Sequence, residues 1–186
     1  MLDNKTPPKV VIFTDGINFY KELSKKYIQH KGRGYFILAP SGSGKTYYVN
    51  NQKDQHWIDG DYLWVASNAD YSSDEWSTDS NDVQEINIRC DIITQQSKDQ
   101  GFWIMGSSNK YLKPDAVVLP DIDTHISYIK NREEKNYDGG AKIQNIDGVL
   151  NHRKWMEKWR EQDVPFFKSI NEATEFLFSR YMQEYN

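Results

Sequence analysis

Four apolar residues, Tyr35-Phe36-Ile37-Leu38, run without interruption into Ala39-Pro40-Ser41-Gly42-Ser43-Gly44-Lys45-Thr46. A short apolar run bounded by turn residues predicts a strand buried on both faces. The two glycines let the backbone enter conformations that side chains disfavour, so the chain can turn sharply there. A helix is expected to start as the loop ends. Strand, glycine loop and helix together open a parallel-sheet unit, because parallel strands need a crossover that is usually helical.

The rest of the chain repeats that alternation. His56-Trp57-Ile58 predicts a strand ending at Asp59-Gly60-Asp61, Phe102–Met105 another, Ala116–Leu119 a third that stops at Pro120, and Val164–Phe167 a last short one. Between them, helical spacing places Val83, Ile86, Cys90 and Ile93 on one face of residues 83–98. It places Ile122, Ile126 and Ile129 inward over 122–134, and His152, Trp155, Met156 and Trp159 on one stripe over 147–162. Glu172–Tyr185 predicts a closing helix with Phe176 and Leu177 near its buried face. Residues 135–145 break the pattern at Gly139-Gly140, and residues 70–82, acidic and Ser-rich, predict an exposed loop. Upstream, Lys9–Phe13 predicts a strand and residues 17–30 a helix. The expected organisation is therefore a strand-helix extension over 1–33 and an α/β domain over 34–186 with a parallel sheet covered on both sides.

Composition excludes several classes. The 186 residues are 38% hydrophobic yet 14% aromatic, enough for a packed aromatic core without staples. One cysteine, Cys90, excludes an internal disulfide and a cysteine-based zinc site, and its place on an apolar helix face predicts an inert thiol. The four histidines have no metal-ligand spacing. No run approaches a membrane span and no basic-then-apolar leader is present, so a cytoplasmic, intracellular protein without membrane contact is expected. A net charge of −4 supplies no global attraction for nucleic acid. The Asn-, Lys- and Tyr-rich, Ala-poor usage is what an AT-rich genome, viral or bacterial, produces.

Ala39–Thr46 fits [AG]-x4-G-K-[ST], the relaxed phosphate-loop pattern. Pro40, Ser41, Gly42, Ser43, Gly44, Lys45 and Thr46 form the candidate nucleotide site. Backbone N–H groups turned inward at Gly42 and Gly44 can converge on a phosphate, helped by the start of the following helix. Lys45 offers a point charge for the β and γ phosphates, expected to face solvent when no nucleotide is bound, and the Thr46 hydroxyl a magnesium ligand. The alternative for such a stretch is a surface turn with an exposed lysine, and the preceding strand weighs against it. The loop resembles that of P-loop kinases and is close to that of guanylate kinase-like enzymes. The resemblance implies a three-layer, kinase-like P-loop nucleoside triphosphate hydrolase fold over residues 34–186, with ATP and Mg2+ as cofactors.

Asp59-Gly60-Asp61 follows Lys45 by 14 residues and resembles the Asp-x-Asp that ends a strand in nucleotide and small-metabolite kinases. The resemblance implies that either carboxylate accepts the proton of an attacking hydroxyl or holds magnesium through water, with Asp59 the candidate metal ligand. Which of the two is the base stays open, and an Asp-Gly turn is the structural alternative. A helix, a mobile lid and another helix are implied after Ala116–Leu119, with arginines facing the transferred phosphate. Arg132 and Arg153 are the candidates, with Arg160 also in range, since a planar guanidinium pairs with phosphate oxygens. Arg89 and Asp61 are candidate acceptor contacts, and Lys168-Ser169-Ile170-Asn171 occupies the place of an adenine cradle in such kinases. Asn109-Lys110 lacks the Asp that a guanine-reading motif requires, since residue 112 is Leu, and the 102–105 strand carries no acidic end of the motor type. Val11–Asn18 resembles the opening of NYN-type nucleases, without the further acidic residues in order, and is read as an element added to the sheet edge. The leading expectation is an ATP-dependent phosphotransferase acting on a nucleoside, nucleotide or other small hydroxylated or phosphorylated acceptor. The alternatives are a polynucleotide 5′-end kinase, against which the charge weighs, and a non-catalytic ATP- or GTP-binding module.

Overall fold

The computed structural model describes residues 33–52, 56–67, 81–136 and 140–185. The strand and helix expected over 9–30, residues 70–80 of the acidic loop, and Gly139 lie outside the described residues. The chain divides into two compact units, Met1–Phe36 with Gln52–Leu112 and Ile37–Asn51 with Lys113–Asn186. The division falls within the first described strand, β1 (Phe36–Leu38).

In the first unit, β2 (Trp57–Asp59) runs parallel to β3 (Trp103–Gly106), with Trp57 opposite Trp103 and Asp59 opposite Met105. Two helices follow from the sequence between them. Gly60–Ala66 forms one directly after β2, and Asn81–Asp99 forms the long one, so the acidic stretch already becomes helical at Asn81. Both pack on β3. On the long helix Cys90 and Ile93 are buried as their spacing requires, and Ile86 packs against Trp64 and Cys90. Full burial of the Ile93 side chain contributes about 1.5–3 kcal/mol. The same helix also buries Asn87, Asp91, Thr94 and Ser97, so its inward face is more polar than an apolar stripe suggests. Trp103 meets Tyr35 edge-on at 4.8 Å and Trp57 at 5.1 Å, a share of the aromatic core that the composition implies.

In the second unit, Ile37 and Leu38 of β1 pair in parallel with Ala116 and Val117 of β4 (Ala116–Val118), and β4 pairs in parallel with β5 (Phe166–Phe167). We number the helices in chain order among the described residues: α1 (Lys45–Asn50), α2 (Gly60–Ala66), α3 (Asn81–Asp99), α4 (Ile122–Glu134), α5 (Ile146–Glu157) and α6 (Ile170–Tyr185). α6 packs on β4 and β5. Ser169 accepts from the Glu172 backbone N–H, and the Glu172 carboxylate accepts from the Lys168 N–H, which together cap the start of α6. The expected helix over 147–162 ends at Glu157 and continues as a 3-10 turn, Lys158–Gln162. Pro165 restricts Val164 to extended backbone, so the chain tightens before entering β5. On α4 the inward stripe begins later than expected. Ile122 is 40% exposed, whereas His125 and Ile129 are buried. Phe176 is likewise half out of the core, its ring tilted against that of Phe167 with the centres 5.1 Å apart.

Among the described residues five strands form a parallel sheet of order β2-β3-β1-β4-β5 with helices packed against it, so the chain is an α/β protein. β1 is the central strand, and its three residues are fully buried, which accounts for the unbroken apolar run in the sequence. Among the described residues no helix is long and apolar enough to cross a membrane.

Candidate functional site

The loop that follows β1 closes on its own backbone. The Pro40 carbonyl accepts from the Ser43 N–H at 3.2 Å and from Lys45 Nζ at 3.0 Å. Gly42 and Gly44 take φ values of 89° and 92°, the left-handed region that side chains disfavour, so the Gly-x-Gly spacing has its conformational reason. A methyl on Gly42 would meet Ile129 Cγ1 at 3.0 Å, whereas nothing lies within 4 Å of the corresponding point on Gly44. Lys45 is buried, with its ammonium folded onto the Pro40 carbonyl, which corrects the expectation of a solvent-facing lysine. Thr46 is exposed at the second position of α1. The helix is only six residues long, so the loop's own N–H groups carry more of any anion attraction than its dipole does.

Two arginines expected from the sequence stand in the same unit as this loop. Arg132 Nη2 donates to the Ala141 carbonyl at 2.7 Å, and the Ala141 N–H donates to Ser41 Oγ at 2.9 Å. The α4–α5 connection is thereby tied back to the loop. Gly140 permits that approach at a φ of 70°, because a Cβ there would lie 2.6 Å from Ser41 Oγ. Arg153 Nη2 donates to the Pro120 carbonyl at 2.7 Å, and its Nη1 lies 3.1 Å from His125 Nδ1. Burial holds the Arg153 guanidinium below its ordinary value, against the opposing pull of Glu157 and Asp121. The other ring nitrogen of His125, Nε2, lies 2.8 Å from the Ser41 carbonyl. Burial pushes the His125 imidazole below its ordinary value. The Ser41 carbonyl works the other way, and the charges of Arg153, Lys45 and Arg132 add to the depression. Arg132 through Ala141, and Arg153 through His125, are thus both tied to Ser41 of the loop that holds Lys45.

His125 was not expected as a functional residue. Its signal in the sequence is positional: it precedes Ile129 by four residues and Arg132 by seven, the spacing of one helical face. Arg160, by contrast, pairs with Glu157 on the surface, its guanidinium 3.8 Å from the Phe166 ring centre, and does not join this group. Lys168, in the stretch compared with an adenine cradle, pairs with Asp121.

Asp59, Asp61 and Arg89 belong to the first unit. Asp59 is the last residue of β2 and is buried, and its Oδ1 accepts from the Asp61 N–H at 3.1 Å. Asp61 is exposed in the first turn of α2, and Arg89 is half-buried on α3. The two carboxylates thus differ in environment, a difference their sequence symmetry hides. Asn109 has a structural role: buried at 2% exposure, its amide donates to Asp91 Oδ1 at 3.0 Å and to Thr94 Oγ1 at 2.9 Å. Burial raises the Asp91 carboxyl, while the Tyr111 N–H and Asn109 oppose the shift. Burial likewise pushes the Cys90 thiol up to about 12, the inert state expected of it.

Among the described residues no group of three or more His, Cys, Asp or Glu could hold a metal ion. A phosphate-associated magnesium needs only one or two protein oxygens, the rest coming from phosphate and water. The exposed Thr46 hydroxyl is of that kind. The loop also fits a polyphosphate: the Ser43 hydroxyl is shielded from solvent with no hydrogen-bond partner in the described structure, and the space over Gly44 is open. The chain matches no protein-family model, and a search of curated proteins finds no match.

Proposed function

We propose that this chain is an ATP-dependent phosphotransferase of the P-loop kinase type, acting on a nucleoside, nucleotide or other small hydroxylated or phosphorylated acceptor. The observation that carries the reading is the loop itself, with two left-handed glycines, a shielded hydroxyl without a partner, Lys45 folded onto it, and Arg132 and Arg153 tied to Ser41 through Ala141 and His125. The strand pairing supports it. Within the second unit the loop leaves the carboxyl end of a strand paired in parallel with β4, the edge at which ligands of open parallel sheets bind.

On this reading the loop N–H groups and Lys45 hold the β and γ phosphates, so Lys45 leaves the Pro40 carbonyl when nucleotide binds. Arg132 and Arg153 offset charge on the transferred group. Thr46 and Asp59 would hold Mg2+, which would offset the negative charge of the phosphates. Asp59 or Asp61 takes the proton of the acceptor hydroxyl, with Asp61 and Arg89 meeting the acceptor.

The test is ADP release by purified protein with ATP and Mg2+ against nucleosides, nucleoside monophosphates, small hydroxylated metabolites and 5′-hydroxyl oligonucleotides. Acceptor-dependent release that falls on the order of 100-fold or more in Lys45→Met is expected. Unchanged release in that variant refutes the assignment. Tight ATP binding with no acceptor-dependent turnover replaces it with a binding module.

A further inference from the structure

His125 is 1% exposed and sits between a group that can only accept and a group that can only donate. Its Nε2 lies 2.8 Å from the Ser41 carbonyl and its Nδ1 lies 3.1 Å from Arg153 Nη1. A carbonyl has no proton and a guanidinium has no acceptor, so a single ring state satisfies both contacts. It is the neutral ring with the proton on Nε2. The Nε2–H donates to Ser41, and the Nδ1 lone pair accepts from Arg153. Arg153 is fixed independently by its bond to the Pro120 carbonyl just after β4. Two of its donor groups are therefore spent on orientation, one of them through the ring to the phosphate loop.

We infer that His125 is a positioning residue for phosphoryl transfer, its neutral imidazole tying the Arg153 guanidinium to the Ser41 carbonyl so that loop and arginine hold one geometry. The inference rests on the phosphotransferase reading and adds to it a residue outside the loop, the acid pair and the arginines. Arg153 then depends on the ring for its direction and not only for its packing. Protonation at Nδ1 would place an N–H against the guanidinium donor and remove the only acceptor on that side of the ring. The charged groups that act on the ring are cationic from every element concerned: Lys45 from α1, Arg132 on α4 and Arg153 from α5. Together with burial they keep the ring neutral at physiological pH and set its protonation below the ordinary histidine value of 6.5.

Two measurements test this. Ring 15N NMR of the ligand-free full chain reads the tautomer directly. A protonated Nε2 and bare Nδ1 at pH 7, titrating below 6.5, are expected, and a ring with Nδ1–H or a cationic ring at pH 7 overturns the inference. Steady-state kinetics between pH 5.5 and 8 then compare wild type with His125→Phe and His125→Gln. Phenylalanine keeps the ring volume and removes both contacts. Glutamine keeps a donor and an acceptor and does not titrate. At pH 8, His125→Phe should lower kcat by about 10- to 100-fold while the KM for ATP moves far less, the pattern of a misplaced transition-state group. His125→Gln should recover most of kcat and lose the acid limb that wild type shows. Wild-type kinetics in both variants at every pH overturn the inference and leave the phosphotransferase reading standing. A wild type that itself shows no acceptor-dependent release overturns both, and that silence in the unmutated chain tells the two failures apart.

Discussion

Alanine at Gly42 and at Gly44 should separate stability from phosphate binding, because the two glycines share a backbone conformation but not a neighbourhood. Their φ values are 89° and 92°, so each substitution carries the same left-handed penalty, about 1–2 kcal/mol. At Gly44 that is the whole cost, since no atom lies within 4 Å of the added methyl. At Gly42 the methyl would meet Ile129 Cγ1 at 3.0 Å, and Ile129 is fully buried, so an overpacking cost of about 1–3 kcal/mol is added. For a chain of this length about 1 kcal/mol lowers Tm by roughly 2–4 °C. Gly44→Ala should therefore lose about 2–8 °C and Gly42→Ala about 4–20 °C, read by calorimetry without nucleotide. Binding should follow a different order. The open space over Gly44 is where phosphate oxygens would approach the backbone, so Gly44→Ala, the milder change in stability, should still lose ATP affinity by an order of magnitude or more in isothermal titration. Equal Tm losses would refute the packing argument. A Gly44→Ala protein that binds ATP as wild type does would refute the placement of phosphate over that residue.

Three further perturbations address other links. Asp59→Asn keeps an oxygen to accept from the Asp61 N–H and so should fold normally while losing acceptor-dependent turnover in the ADP-release assay; Asp61→Asn should act mainly on the KM for the acceptor, and full rates in both would make the pair structural. Asn109→Asp places a second carboxylate against Asp91 in a buried site and should cost about 3 kcal/mol or more in urea denaturation, whereas a neutral outcome would show the amide network to be dispensable. For His125 the folded-state protonation lies below its unfolded value of 6.5, so the unfolded chain binds the extra proton first as pH falls. The stability of wild type relative to His125→Gln should hold above that value and decline through the window below it; a difference independent of pH would refute the buried neutral ring.

The fold was legible where one residue pattern answered one physical demand. β1 and β4 are buried on both faces, so apolar residues without alternation mark them, and the Gly-x-Gly spacing marks the left-handed turn that follows β1. Legibility failed where two demands met in one residue. Ile122 fits an apolar stripe, yet the buried positions of α4 go to His125 and Ile129, because the inward face must also reach the Ser41 carbonyl. Lys45 looks like a solvent-facing cation in any sequence window. Its burial depends on the Pro40 carbonyl, which only the folded loop turns toward the ammonium. Arg132, Arg153 and Arg160 are alike as letters, and only tertiary partners separate the first two, bonded to backbone carbonyls, from the third, paired with Glu157 over the Phe166 ring. The acid pair has the same history: Asp59 and Asp61 are equivalent in the sequence and differ in burial.

The charge arrangement itself makes a last prediction. Lys45 on the loop, Arg132 tied to it through Ala141 and Arg153 tied to it through His125 gather three like charges, and burial together with these charges lowers the protonation of the ring. Assembling like charges opposes folding, and a polyanion that binds only the folded unit relieves that repulsion while adding its own contacts. Binding that is selective for the folded state stabilises by RT ln(1 + [L]/Kd), about 2.7 kcal/mol at a hundredfold excess over Kd. With roughly 2–4 °C per kcal/mol, saturating ATP should raise Tm by about 5–11 °C. On the proposed reading the cations and the loop N–H groups meet phosphate and not the base, so inorganic triphosphate should give a large part of that rise and adenosine almost none. The rise should shrink with added salt in proportion to the share of exposed charge in the contacts. It should shrink further in Lys45→Met, which removes one cation and its ability to move from the Pro40 carbonyl to a phosphate. Equal shifts with adenosine and with triphosphate, or an undiminished shift in Lys45→Met, would show that the cation group is held for the fold alone.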